Sequence, residues 1–362
     1  MATSIEIDRT VGAGLERGLT LPASWYTDAA IFEAEKQRIF GKFWQYVGHS
    51  GQVPEPGDFF TVTLGDIPVI VVRNDDRRLR AFANVCRHRG SEVVLGCSGN
   101  RKTMQCHYHG WTYNLDGTLR AAPRSGEQLS FDKSALSLIS FSIDTWGPFI
   151  FVNPDPAALP LASYLGKLPS FVARAALDVN KVRMVRRDEY QLASNWKIII
   201  ENFNECYHCP IAHPKFSSVI DTDAYSADTT NEFFSTYNAP LIHARDEGVG
   251  YATLWPTAML SLSTNPGAMQ VLCVWPIDPG HTRETVDYYF AEDATEEHIR
   301  EYVEFSDLVQ REDIILCESV QRGHRSGAVE RGHLMLSREG GIQHFQKLVH
   351  RFVAAEAEKD HH

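Results

Sequence analysis

The spacing of apolar residues changes several times along the chain. Between 28 and 47, in DAAIFEAEKQRIFGKFWQYV, Ile31, Phe32, Ala34, Ile39, Phe40 and Phe43 recur near the helical period and predict an amphipathic helix. From 58 onward, alternation replaces that period. DFFTVTLGDIPVIVVRNDDRRLRAFANVC reads as three short strands turned at Gly65-Asp66 and Asn74-Asp75-Asp76. The pattern continues through KTMQCHYHGWTYNLDGTLRAA, with Asp116-Gly117 as a hairpin turn, and on to WGPFIFVNPDP. Residues 45–155 are therefore predicted to form a small antiparallel β domain, preceded by a helical segment over 1–44 that docks on the rest. The proline-rich NPDPAALPLASYL marks a boundary, and 156–362 is a second domain.

In that second part, VRMVRRDEYQLASNW predicts a strand. WKIIIENFNECYHC predicts a helix that Pro210 ends. AMLSLST, AMQVLCVWPID and TRETVDYYFAED read as strands of a second sheet, the last two joined by a PGH turn. DATEEHIREYVEFSDLVQREDIILCESVQRGH predicts a long helix opened by an Asp293–Glu296 capping box. Tyr302, Phe305, Val309, Leu316 and Val320 form its apolar stripe, and Asp313 falls on that stripe. A bare carboxylate on a buried face is costly unless it is paired or holds a metal.

Composition narrows the function classes. A hydrophobic fraction of 43% supports a real core, and 11% aromatic residues supply large rings. The net charge of −11 argues against non-specific nucleic-acid binding, which needs basic surface. No apolar run is long enough to span a bilayer. The N-terminal MATSIEIDRTVGAGLERG lacks a secretory pattern, so a cytoplasmic location is expected. The seven cysteines are odd in number and read as ligands or buried thiols rather than disulfides, with Cys97 a buried thiol. His361 and His362 are set aside as native residues or a tag remnant.

Two clusters carry chemistry. Cys86-Arg87-His88 and Cys106-His107-Tyr108-His109 form C-x-H-x17-C-x-x-H, each half placed where a strand runs into a turn. A zinc site usually pairs C-x-x-C with a separate histidine pair. Here each loop supplies one thiolate and one imidazole, the ligand set of a Rieske 2Fe-2S centre. Structural zinc is the alternative. The second cluster is ENFNECYHCPIAHP, 201–214. Glu201, Glu205 and His208 are spaced to share one helical face, and His213 returns after Pro210. Two histidines and a carboxylate with open positions make the facial triad of mononuclear non-haem iron. Glu205 and Asp313 are both candidates for that carboxylate.

The order C-x-H-x17-C-x-x-H, ENFNECYHCPIAHP, REDIILCE resembles the oxygenase (α) subunit of the Rieske non-haem iron oxygenases over nearly the whole chain. The resemblance implies an α+β fold, with an N-terminal all-β Rieske domain and a helix-grip catalytic domain, an antiparallel sheet around a long helix. It implies Cys86, His88, Cys106 and His109 as 2Fe-2S ligands, and His208, His213 and Asp313 as ligands of mononuclear Fe(II). It makes Glu205 the acid that carries electrons between subunits of a head-to-tail homotrimer. Ring-hydroxylating dioxygenases usually carry Asp there. Glu205 within E-C-Y-H-C, and TLWPTAMLSLS, look more like the branch that oxidises quaternary ammonium compounds such as carnitine and betaines. That branch implies monooxygenation at a C–H next to nitrogen with C–N cleavage, and Phe203, Tyr251 and Trp255 are candidates to hold the cation. The alternatives are an aromatic-ring-hydroxylating (di)oxygenase of aromatic hydrocarbon catabolism, and a non-catalytic redox or metal sensor. No G-x-G-x-x-G loop is present, so NAD(P)H is expected to act through a separate reductase, with or without a ferredoxin.

Overall fold

The structure is a computed structural model that describes residues 10–127, 131–174, 177–243, 248–264 and 267–354. The chain divides into two compact units, one of residues 40–164 and one combining residues up to 39 with those from 165 onward.

In the first unit, seven antiparallel strands run in the order Gln45–His49, Phe149–Asn153, Ser140–Trp146, Leu79–Ala83, Ile67–Arg73, Asp58–Leu64 and Ser98–Asn100. Val69, Ile70, Val71 and Val72 are all buried, so this strand is covered on both faces and reads as a continuous apolar run. A small three-stranded sheet, Met104–Gln105, Thr112–Tyr113 and Leu119–Ala121, adds to it. Phe59, Ile70, Phe82, Trp111 and Tyr113 form one apolar cluster, and Cys86 and Cys106 are buried within it.

Residues 28–47 do not form the single helix predicted. Asp28 caps a helix at Ala29–Glu35 by accepting from the Ala30 N–H at 2.7 Å. A wider turn over Lys36–Phe40 follows, and Gln45–His49 is already strand. Gly41 interrupts the helical run, and the β-branched and aromatic residues after it favour the sheet. Of the predicted 1–44 segment, residues 1–9 lie outside the described residues. The helix Thr10–Glu16 is tied to Gly340–Ala354, through Gln343 to the Leu15 carbonyl at 2.6 Å and Lys347 to Glu16 at 2.7 Å.

The second unit is built on another seven-stranded antiparallel sheet. Its order is Val182–Leu192, His281–Ala291, Gly267–Asp278, Ala258–Thr264, Gly248–Leu254, Phe234–Pro240 and Ser226–Asp228. The 31-residue helix Glu296–Ser326, about 46 Å long, lies against this sheet. The Tyr302 ring meets Phe290 edge-on at 5.4 Å, Tyr190 donates to Asp307 at 2.8 Å, and Gln310 donates to Glu284 at 2.6 Å. The N-cap is Thr295, which accepts from the His298 N–H at 3.3 Å, and not the predicted Asp293–Glu296 box. Val320 is half exposed rather than buried, because the last turns bury Cys317 and Gln321 instead. Gln321 accepts from the Asn195 N–H at 2.8 Å and donates to the Tyr26 carbonyl at 3.2 Å, which sets that rotation.

The predicted helix over 196–209 ends early, at Phe203. The Oδ1 of Asn204 accepts from Tyr237 at 3.0 Å and from the Thr253 hydroxyl, and these sheet contacts pull the chain out of helical register. Glu201 and Glu205 therefore do not share a face. Glu201 turns instead to Tyr26 and Gln346, at 2.7 and 3.1 Å, where burial pushes its carboxyl up to about 7. Beside it, Lys197 and Glu35 form a fully buried ion pair, and Trp196 Nε1 donates to the same Glu35 at 2.8 Å. Pro210 starts a new short helix, Cys209–Ala212, rather than stopping an old one, since its missing N–H costs nothing in a first turn. No helix among the described residues is long and apolar enough to cross a membrane.

Candidate metal centres

The two loops of the first unit are near copies of each other. The Cys86 N–H donates to the Ser91 carbonyl and the Cys106 N–H to the Trp111 carbonyl, both at 2.8 Å. The N–H groups of Gly90 and Gly110 donate back to the Cys86 and Cys106 carbonyls, both at 3.0 Å. Both glycines have positive φ, +75° and +72°, a conformation in which a side chain would be strained. The sequence between cysteine and glycine is thereby wound into a tight turn that presents one histidine. The cysteines are buried, whereas the His88 and His109 rings face solvent with centroids 4.6 Å apart. Trp111 stacks on His88 at 4.9 Å, and the Tyr113 hydroxyl lies 3.4 Å from the Cys86 sulfur. Buried sulfurs and surface imidazoles converging from two loops fit the two-thiolate, two-imidazole ligand set that would hold a 2Fe-2S centre. His107 is exposed between Cys106 and His109. Cys97 is also exposed, not a buried thiol as expected, because it lies in the loop beside the edge strand Ser98–Asn100.

In the second unit, His208, His213 and Asp313 bring one ligand atom each to a common point. The Nε2 atoms of the two rings are 3.2 Å apart, and Asp313 Oδ1 is 3.0 Å from His213 Nε2 and 3.5 Å from His208 Nε2. Ligand atoms about 2.1 Å from a metal and at right angles lie about 3.0 Å apart, so this triangle has the size of one octahedral face. Each ring is held from behind by an acid. Glu205 Oε1 bonds His208 Nδ1, and Glu312 Oε2 lies 2.7 Å from His213 Nδ1. With the proton on Nδ1, each Nε2 turns a lone pair toward the carboxylate oxygen. Such a convergence is repulsive unless a cation sits inside it. Without a metal, a proton takes that place. Burial depresses the His208 imidazole, but Asp313 and Glu205 outweigh it and push it up to about 10. Burial raises the Asp313 carboxyl, yet the two histidines hold it below its ordinary value.

Glu205 also accepts from the backbone N–H groups of Tyr207 and His208, the latter at 3.2 Å, so it shapes the loop that carries His208. The loop is closed by a Cys206–Cys209 disulfide, S–S 2.04 Å, where free thiols or ligands were expected. The tight turn around His208 brings the two Cα atoms to 5.0 Å, within bridging reach. Glu312 went unassigned in the sequence. Its only signal there is its place beside Asp313, since its partner lies 99 residues away.

The converging atoms of His208, His213 and Asp313 open into a cavity of about 170 Å³ that reaches solvent at its mouth. From the sheet, Tyr251, Ser261 and Gln270 reach it as register partners across three adjacent strands. From the long helix come Tyr302, Phe305, Ser306, Val309, Gln310 and Asp313, one face at three- and four-residue spacing. Phe203 and Tyr251 line it, their rings perpendicular with centroids 5.8 Å apart. Phe216 and Phe305 form a second pair, near parallel at 6.4 Å. Trp255, expected here, is buried in the core against Trp196, Phe345 and Phe352. It follows the sheet strand Gly248–Leu254, and its ring packs on the Gly340–Ala354 helix rather than toward the cavity.

A pair of cysteine–histidine loops on a β unit, with two histidines and an aspartate on a helix-backed sheet, defines the Rieske class of iron-dependent oxygenase. Comparison with known proteins agrees. Residues 43–140 match the Rieske [2Fe-2S] domain, and 179–355 match the ring hydroxylating alpha subunit (catalytic domain). The chain is 32% identical to the chloroplastic choline monooxygenase of Amaranthus tricolor, covering 96% of this chain and 80% of that one. It is also 32% identical to the carnitine monooxygenase oxygenase subunit of Escherichia coli (strain K12), covering 93% and 94%. The solved quaternary ammonium Rieske monooxygenase CntA, in complex with L-carnitine, superposes with a TM-score of 0.84 at 30% identity over 95% of this chain and 98% of that one. Naphthalene 1,2-dioxygenase, at 23% identity and a TM-score of 0.76 over 95% of each chain, shares the fold. The chain belongs to the Rieske non-haem iron oxygenases, as an oxygenase (α) subunit. It is an oxidoreductase whose cofactors are a 2Fe-2S cluster and a mononuclear iron.

Proposed function

We propose that this chain is the oxygenase component of a multicomponent monooxygenase that hydroxylates a C–H bond next to nitrogen in a quaternary ammonium or N-alkyl amine. The observation that carries the reading is the aromatic wall, with Phe203 and Tyr251 lining the same cavity as His208, His213 and Asp313. A cation over such a ring gains about 0.5–2 kcal/mol, and more than one ring faces this space. The E-C-Y-H-C loop and the choline- and carnitine-oxidising relatives support the same choice.

When bound, the cluster supplies single electrons and the mononuclear ferrous ion activates O₂. In this reading, Cys86, His88, Cys106 and His109 hold the cluster, and His208, His213 and Asp313 hold the single iron. Glu205 and Glu312 keep the Nδ1 protons in place, so that both Nε2 lone pairs stay directed inward. The aromatic wall holds the ammonium head and excludes water around it. One oxygen atom enters the C–H bond, and the other leaves as water with two electrons and two protons. The resulting carbinol on nitrogen collapses to an aldehyde and the shortened amine. Electrons arrive from NAD(P)H through a separate reductase, with or without a ferredoxin. They pass through Glu205 to the next subunit of a homotrimer.

The test is a panel of quaternary amines and aromatic acids, assayed with a reductase for coupled O₂ uptake. Release of an aldehyde from a quaternary amine is the expected result. A cis-diol or phenol from an aromatic substrate, with no aldehyde from any amine, refutes the assignment.

A further inference from the structure

The cavity is polarised in the charge it can accept. At its metal end, Glu205 and Asp313 are the acids of the wall. Glu312 adds a third carboxylate behind His213, so a ferrous ion held there leaves this end with net negative charge when loaded. The other polar groups of the wall are uncharged. Tyr251, Ser261 and Gln270 form one row across the sheet, and Tyr302, Ser306 and Gln310 face them from the helix. Among the described lining residues there is neither Lys nor Arg. Lys215 lies over the Phe305 ring at 5.6 Å, but it is solvent-exposed, where water and salt screen it.

The hydrogen-bond donors of this wall are also partly spent. One Gln310 amide N–H is given to Glu284 at 2.6 Å, and the Ser306 hydroxyl shares a hydrogen bond with Tyr288 at 3.3 Å. A carboxylate leaving water needs a cation or several free donors. A hydroxyl, ester or alkyl group asks for one hydrogen bond or none.

We infer that the substrate pairs its ammonium head with a neutral tail, and that this cation-free wall, Ser261 and Gln270 included, selects against a carboxylate. This rests on the quaternary ammonium reading above.

The experiment uses the full-length protein, loaded with cluster and ferrous iron under anaerobic conditions. Isothermal titration compares γ-butyrobetaine with its methyl ester. The two share a trimethylammonium head and a chain of equal length, and differ in the charge of the tail. The ester is expected to bind at least tenfold more tightly. Equal or tighter binding of the zwitterion overturns the inference while leaving the quaternary ammonium reading standing. Binding of neither overturns both. In a folded Gln270→Lys variant, the preference should shrink or invert. An unchanged preference in that variant removes the wall from its selecting role.

Discussion

Glu312 offers the most quantitative perturbation, because its contact with the site is a single hydrogen bond. Its Oε2 lies 2.7 Å from His213 Nδ1, on a histidine that is 2% exposed, while the glutamate itself is 31% exposed. A charge-assisted bond of this kind contributes about 1.5–3 kcal/mol. Partial solvent access to the acid screens it toward the lower end. Glutamine at this position keeps an acceptor oxygen of the same reach, so Glu312→Gln removes charge and leaves geometry intact. A loss near 1.4 kcal/mol is about tenfold in an equilibrium constant, the lower bound of what partners of metal-bound histidines usually contribute. Anaerobic Fe(II) titration against a chelating competitor should therefore show about tenfold weaker binding at the mononuclear site. The visible absorbance of the cluster serves as internal control and should not move. An unchanged iron affinity in the variant would refute the claim that Glu312 fixes His213 for metal.

Other perturbations reach different parts of the molecule. Glu205→Gln, saturated with iron, should keep both metals and lose most turnover; full activity in a stoichiometrically metallated variant would remove Glu205 from the electron path. In metal-free protein, burial lowers His208 but Asp313 and Glu205 push it up to about 10, so its contribution to stability is complete below pH 6.5 and disappears as pH rises through 10. Urea midpoints of the metal-free form should fall across that window relative to the iron-loaded form, and parallel curves would contradict the proton-for-metal exchange. Lys197→Met leaves Glu35 buried without its cation and should cost about 3–5 kcal/mol, read as a lowered unfolding midpoint. Replacing both partners with Glu35→Gln and Lys197→Met should recover part of that loss.

What the sequence discloses follows the range of the forces involved. The strands Ala258–Thr264 and Gly267–Asp278 stand out because apolar and β-branched residues crowd them and turn residues bound them. The long helix is equally plain, since its charge placement and period extend over many turns. Cysteines and histidines at short spacing announce a metal, and the loops around Cys86 and Cys106 need only local hydrogen bonds and two glycines to form. Tertiary bonds are a different matter. Asn204 leaves the helix because Tyr237 and Thr253, on the sheet, compete for it, and the spacing of Glu201, Glu205 and His208 contains no trace of that contest. Trp255 and Tyr251 lie four residues apart in the sequence, but Tyr251 lies within a strand whose face meets the cavity, whereas Trp255 follows its end. Glu312 and Asp313 are adjacent, yet they serve opposite edges of one imidazole. The Cys206–Cys209 bridge is set by a tight turn, which an argument from cellular compartment does not see.

The central claim is that one chain carries two independent iron sites, a cluster in the β unit and a single ion on the helix-backed sheet. Iron and acid-labile sulfide analysis of the wild-type protein beside Asp313→Ala tests it most directly, with EPR of the reduced state. The account predicts wild-type iron equal to one 2Fe-2S cluster plus one further ion, and a variant that loses that one ion while its sulfide and its rhombic cluster signal persist. A colourless zinc protein without sulfide, or a variant in which sulfide and all iron vanish together, would contradict it.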